Sequence, residues 1–290
     1  MLPGVGDQEF ASLGAAAYHA GLDVMVVNRI NDGATLAYDT DTDAWSEAVA
    51  GGEPPSPDSW EMPPCEPKPS ACRYGYQMIY DAESNLMVTF GGAEWGRMDA
   101  GRHAGLSDTW TFDAAANAWI DQTSDVAPPP RVWHTTAYDT QSDRVIVFGG
   151  ATKHGGEVMG DTWAYDTNTN TWQEMHPAVS PPARADAMTW YDPEADLVFV
   201  YGGTGDWSSW PPLPWLVFGG EELWAYDYES DSWTLYRTNP NPGYRLSGTT
   251  VFDPRSGEAV LTGGDHYDAE RRFQGWAGDV WVYRHQPNRN

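Results

Sequence analysis

The chain has 290 residues, with 42 Asp and Glu against 16 Lys and Arg, a net charge of −26. That balance argues against nucleic acid as a partner, because phosphate binding needs a basic footprint, and against an anionic membrane surface for the same reason. Sixteen Trp, 30 Gly and 22 Pro point to many short strands and turns.

The opening "MLPGVGDQEF" has neither a basic segment nor an apolar core, so it does not read as a signal peptide. No stretch of the chain is long and apolar enough to span a bilayer as a helix. Residues 14–50 hold the first unit. "GAAAYHAGLDVMVVNRI" reads as two strands and "ATLAYDTDTDAWSEA" as two more. Residues 51–72 form a Pro-rich insertion with two cysteines, Cys65 and Cys72. They read as one disulfide closing that loop, with two free thiols as the alternative. A bridge implies an oxidising compartment, so the chain is expected to be extracellular, periplasmic or at the cell surface, its leader absent from this sequence.

Four further units follow at 73–122, 131–176, 184–237 and 245–284. Each has an aromatic-Asp pair ("IYDAESN", "AYDTQSD", "WYDPEAD", "VFDPRSG"), an apolar run and a Gly pair at 91–92, 149–150, 202–203 or 263–264. Downstream come "DTWTFD", "DTWAYD", "ELWAYD" and "DVWVYR". The first three of these are followed by "NAWIDQ", "NTWQEM" and "DSWTLY". The Gly pairs stand 58, 53 and 61 residues apart, periods that point to a repeat architecture. "LVFGG" at 216–220 mimics a second apolar run but belongs to a long insertion.

Each unit reads as four antiparallel strands, a to d. Strand b is apolar throughout, so both its faces are buried. Strand c alternates: Trp163 and Tyr165 share one face, Thr162 and Ala164 the other. A sheet with one bulky and one small face packs well on a copy of itself, and radial stacking of such sheets makes a β-propeller. The expected fold is all-β, a single propeller domain over 1–290 with five visible blades. The last unit stops after strand c: either the residues before Gly14 supply its outer strand and close the ring, the favoured expectation, or part of the natural chain is missing.

These Gly pairs, the spaced "DTWAYD" and "NTWQEM" segments and Arg131 after "PPP" resemble the kelch repeat family over nearly the whole chain. The resemblance implies a kelch-type propeller, for which five copies is a small number.

Strand direction assigns two ends. The a–b and c–d turns are short and start with Asp, whose side chain caps nearby N–H groups. The b–c and d–a loops at the other end are long and varied, and ligand binding is expected there. Arg73, Arg131, Arg184 and Arg245 stand in phase at the start of strand a. They read either as an anion clamp or as partners of the in-phase acids Asp108, Asp161, Glu222 and Asp279. Trp95, Trp133, His134, His154, Trp207, Trp210, Asp265, His266 and Tyr267 complete the expected ligand-binding set. Trp215 and Trp276 also belong to this end.

No zinc spacing and no Gly-x-Ser-x-Gly elbow is present. Glu94, Asp99 and His103 are the candidate ligands for a divalent transition metal. The segment loosely resembles the iron-binding loop of kelch-type nitrile-specifier proteins, with one extra residue between Glu and Asp. The kelch-like propeller of galactose oxidase is a resemblance of fold alone, since its copper site needs a Cys linked to a Tyr. The sequence thus reads first as a non-catalytic, monomeric module without cofactor, binding a carbohydrate or a protein. A metal-assisted enzyme on a sugar or small molecule and a structural spacer in a larger surface protein stand as alternatives.

Overall fold

The computed structural model describes residues 13–29, 34–49, 73–94, 104–153, 155–205, 221–268 and 273–285. Among them every regular element is a strand. The first sheet holds β1 (Leu13–His19), β2 (Val24–Arg29), β3 (Thr35–Asp39) and β4 (Ala44–Val49) in sequence order. The second repeat opens with β5 (Arg73–Tyr74), which pairs with β8 (Ala93–Glu94). Its sheet is β6 (Met78–Asp81), β7 (Leu86–Phe90), β9 (Thr109–Asp113) and β10 (Ala118–Asp121). The third is β11 (Thr135–Asp139), β12 (Arg144–Phe148), β13 (Thr162–Asp166) and β14 (Thr171–Met175). The fourth is β15 (Met188–Asp192), β16 (Leu197–Tyr201), β17 (Leu223–Asp227) and β18 (Ser232–Tyr236).

The last repeat splits into two three-stranded sheets. One joins β19 (Tyr244–Leu246), β22 (Asp265–Tyr267) and β23 (Phe273–Trp276). The other joins β20 (Thr249–Asp253), β21 (Glu258–Thr262) and β24 (Val280–Tyr283). The segment expected to add its outer strand lies outside the described residues. The pairing is that of propeller blades: antiparallel sheets with strands in up-down order. The residues group into two compact units, Met1–Val132 with Thr167–Thr171 and Trp133–Asp166 with Trp172–Asn290.

Sheet faces pack as the alternation of strand c requires. In the second unit, Trp224 and Tyr226 of β17 cluster with Val198 and Val200, and with the small face of the third sheet at Ala137, Ile146, Phe148 and Ala164. The other face of the fourth sheet, with Met188, Trp190, Phe199 and Ala225, clusters with Ala259, Leu261, Trp281 and Tyr283. In the first unit Ala15 and Val26 meet Met78, Met87 and Phe112 in the same way. A buried indole usually gives its N–H to an acceptor. The Trp119 Nε1 donates to Thr35 Oγ1 (2.9 Å), and in the second unit Trp233 donates to Thr162 (3.1 Å).

The short turns are closed by their own side chains. Asp39, Asp81, Asp113, Asp139 and Asp192 each accept the backbone N–H groups two and three residues on. Each turn then ends in an Asp or Asn at positive φ, at Asp43, Asn85, Asn117, Asp143, Asn170, Asp196 and Asp231 among others, a conformation these two residues tolerate. That φ turns the side chain back toward the tyrosine five residues before it. Tyr80 donates to Asn85 (2.8 Å), Tyr138 to Asp143 (2.7 Å), Tyr191 to Asp196 (2.9 Å) and Tyr226 to Asp231 (2.8 Å). Much of the negative charge is therefore turn chemistry.

Candidate functional site

At the other end of the sheets, the arginines before strand a are keystones. Arg73 is buried and donates to the carbonyl of Gly91 (2.7 Å) and to both carboxylate oxygens of Asp108. Arg184 donates to the carbonyls of Pro182 (3.1 Å) and Gly202 (3.0 Å) and to Glu222 (3.0 Å). Arg245 repeats the set with Pro242 (2.9 Å), Gly263 (3.1 Å) and Asp279 (2.6 Å). Arg131 is buried and donates to Pro129 (3.0 Å). Each acid also accepts the indole N–H of the tryptophan two residues on: Trp110 on Asp108, Trp224 on Glu222, Trp281 on Asp279. The recurring acid-x-Trp of strand c is thus one half of an Arg–acid–Trp cluster. Burial pushes the Asp108 carboxyl up, but the Arg73 guanidinium and the Trp110 indole together hold it below its ordinary value. At Arg73, Arg184 and Arg245 this is the pairing with the in-phase acids, the second of the two readings of these arginines, and it makes each guanidinium an internal tie.

The main chain of the same arginines binds the preceding repeat. Gly92 N–H donates to the Arg131 carbonyl (2.9 Å), Gly150 to Arg184 (2.9 Å) and Gly203 to Arg245 (3.0 Å). The Gly pairs are needed here. Both glycines of the third repeat have positive φ, and a Cβ on Gly149 would sit 2.3 Å from the Arg184 carbonyl oxygen.

Two residues past each arginine the backbone has positive φ: Gly75, Trp133, Asp186 and Ser247. The last three are not glycine, so the position is strained. It is held by a chain of bonds, Asp186 N–H to the Trp133 carbonyl (2.8 Å) and Ser247 N–H to the Asp186 carbonyl (3.3 Å). The Ser247 hydroxyl also donates to the Asp186 carboxylate. Asp186 is the one charged residue at this position. Sequence reasoning missed it, although "RAD" against "RYG", "RVW" and "RLS" sets it apart.

The β19–β22–β23 ribbon stands beside it. Asp265 pairs with Leu246 on one side and Trp276 on the other. Strand alternation places Asp265 and Tyr267 on one face and His266 on the opposite one, where His266 lies near Gly243. Asp265 is buried, and its cross-strand neighbour Trp276 is 86% exposed, with its indole close enough to lower the carboxyl. Burial and the nearby Asp265 charge push the Asp186 carboxyl up to about 6, against the opposing hydrogen bonds from Ser247. Burial raises Asp265 as well. The Tyr267 phenol rises to about 12, from burial and then the charges of Asp265 and Asp186.

The remaining expected site residues are scattered. Trp133 packs against Ala151, Val158 and Ala185, and His134 is buried at the start of strand a. Glu94 pairs its backbone with Arg73. Trp95, Asp99, His103, His154, Trp207, Trp210, Trp215 and the Cys65–Cys72 pair lie outside the described residues. Among the described residues no group of three or more His, Cys, Asp or Glu is placed to hold a metal ion.

Residues 96–289 match the KLHDC2/KLHL20/DRC7 Kelch-repeats domain. The chain is 24% identical to Mei4-dependent protein 6 of Schizosaccharomyces pombe, over 68% of this chain and 29% of that protein. It is 26% identical to Kelch domain-containing protein 2 of Bos taurus over 39% of this chain and 34% of the relative. It is 30% identical to Adagio protein 3 of Arabidopsis thaliana over 34% and 15% respectively. The chain spans about a third or less of the length of these relatives. The Arg–acid–Trp clusters, the paired glycines and the clipped turns are how a matching stretch longer than half the chain folds, and the chain belongs to the kelch-repeat family.

Proposed function

We propose that the chain is a non-catalytic binding module that holds a partner protein by the loop end of its sheets. The observation that carries this reading is the Trp276–Asp265 pair. A nearly fully exposed indole stands cross-strand from a buried carboxylate, near a second, half-buried carboxylate, Asp186. A large aromatic fixed in place and left uncovered is the kind of group on which interfaces concentrate their energy. The short-turn end offers no equivalent, since its Asp and Tyr groups are taken up within the turns. Binding loops carried by a rigid scaffold fit the same division.

The same indole favours a second reading, a carbohydrate ligand stacked on the ring with hydroxyls donated to Asp265. Parallel peptide and glycan arrays, probed with the chain and with Trp276→Ala, separate the two. Peptide spots lost in the variant support the protein reading. Glycan spots lost in the variant support the carbohydrate. Binding to neither, or binding that ignores the variant, removes this face from consideration.

A further inference from the structure

Every strand-c acid seen with its arginine is neutralised inside its own repeat: Asp108 by Arg73, Glu222 by Arg184, Asp279 by Arg245. Asp186 and Asp265, which lie outside strand c, have no such cation. Asp186 accepts a hydrogen bond from Ser247 and Asp265 stands cross-strand from Trp276, but among the described residues neither has an ion-pair partner. Ser247, whose hydroxyl donates to Asp186, follows Leu246, the residue paired with Asp265, and Tyr267 shares the Asp265 face of β22, so the three groups lie in one neighbourhood. Tyr267 is 1% exposed, and its hydroxyl meets no hydrogen-bond partner among the described residues. A buried hydroxyl without a partner costs free energy. Two neighbouring carboxylates without a cation cost more. One occupant relieves all three groups: a cation with several N–H donors.

We propose that Asp186, Asp265 and Tyr267 form a subsite for a primary ammonium group, a lysine side chain or an amino terminus of the partner protein. The proposal rests on the binding reading above and names what that site recognises. An ammonium group has three N–H donors, which matches two carboxylates and one phenol oxygen. The exposed face of Trp276 beside Asp265 adds cation–π attraction along the approach. A divalent metal fits less well, since a hard cation seeks six or more oxygen ligands and this cluster has two carboxylates. His266, on the far face of β22, adds none. The net charge of −26 draws a cationic segment toward the chain from a distance.

The test is a ligand-observed NMR titration of the full chain. The probes are N-acetyl-lysine methylamide, the neutral N-acetyl-norleucine methylamide, and Gly-Ser-Gly amide with a free amino terminus. Saturable binding of the lysine probe or of the tripeptide, without binding of the norleucine compound, is expected, and the tighter of the two identifies the source of the ammonium group. Asp265→Asn is expected to weaken that binding about tenfold and Tyr267→Phe about threefold to tenfold. Tyr267→Phe removes a hydroxyl with no hydrogen-bond partner among the described residues, so it keeps the fold. Near-ultraviolet circular dichroism checks this for both variants. Asp113→Asn, in a short turn, leaves the affinity unchanged if the attraction is local. Equal binding of norleucine, indifference to the two site variants, an equal loss in Asp113→Asn, or calcium chloride displacing the probe at lower concentration would each overturn the proposal. Array binding that depends on Trp276 but not on Asp265 would leave the binding face standing and remove the ammonium subsite alone.

Discussion

Asp192 and Asp186 stand six residues apart at opposite ends of β15 and meet opposite surroundings. Asp192 closes a turn, accepting the N–H groups of Glu194 (3.0 Å) and Ala195 (3.2 Å). Its charge is used where it sits. Asp186 accepts from Ser247 but faces a second carboxylate, and its carboxyl rises to about 6. A third kind of acid, Glu222, shares the loop end with Asp186 and is matched by Arg184 at 3.0 Å. The net charge therefore hides three roles. An acid that closes a turn or balances an arginine belongs to the fold, and one with neither duty is the place to look for function.

The largest expected effect comes from making a matched acid resemble an unmatched one. Arg184→Ala leaves Glu222 without its cation and the carbonyls of Pro182 and Gly202 without their donor. It is expected to cost about 3–5 kcal/mol in urea unfolding. A loss below about 1 kcal/mol would mean that the cluster is not a keystone.

The converse change, Asp186→Asn, should stabilise. Folding raises this carboxyl from 3.8 to about 6, so the folded chain holds the proton more tightly than the unfolded chain does. The corresponding stability is fully present below about pH 4 and is lost as pH rises through about 6. Asp265, the neighbouring acid, pushes in the same direction, while Ser247 opposes it. The variant is expected to gain on the order of 2–3 kcal/mol at about pH 7.5 and almost nothing near pH 4. Equal unfolding curves at both pH values would place Asp186 among the turn-type acids.

Asp192→Ala removes the acceptor for two turn N–H groups and should lose about 1–2 kcal/mol at neutral pH. Tyr226→Phe, which cuts the 2.8 Å bond to Asp231, should lose about 0.5–1.5 kcal/mol. If Asp192→Ala stabilised the chain instead, the division between the two ends would fail.

The repeat was plain in the sequence because Gly pairs and alternating strands are local signals. The turn role of the aspartates was legible for the same reason, since an Asp side chain reaches N–H groups two and three residues away. The tyrosine clip escaped notice. Its two residues are only five apart, but they meet because the second one adopts positive φ, which residue type alone does not announce. The arginines could be placed in phase with the acids, yet phase does not separate a clamp from an internal tie. That distinction needed their burial and the carbonyls of Gly91, Gly202 and Gly263. Asp265 and Tyr267 were found as loop-end residues. His266 was grouped with them although strand alternation sends it to the other face. Asp186 was missed because its partners, Ser247 and Asp265, come from the following repeat, 61 and 79 residues away.

The double duty of the arginines fixes where one repeat can be severed from the next. Arg245 anchors its guanidinium at Pro242, Gly263 and Asp279 while its carbonyl receives the N–H of Gly203. A graft that begins at the first residue of β20 would leave that anchor behind and strip the neighbour of its acceptor. A portable cassette must instead start upstream, at the proline that leads into the arginine. Designers who shuffle such cassettes should cut there and carry the arginine with the sheet that follows it.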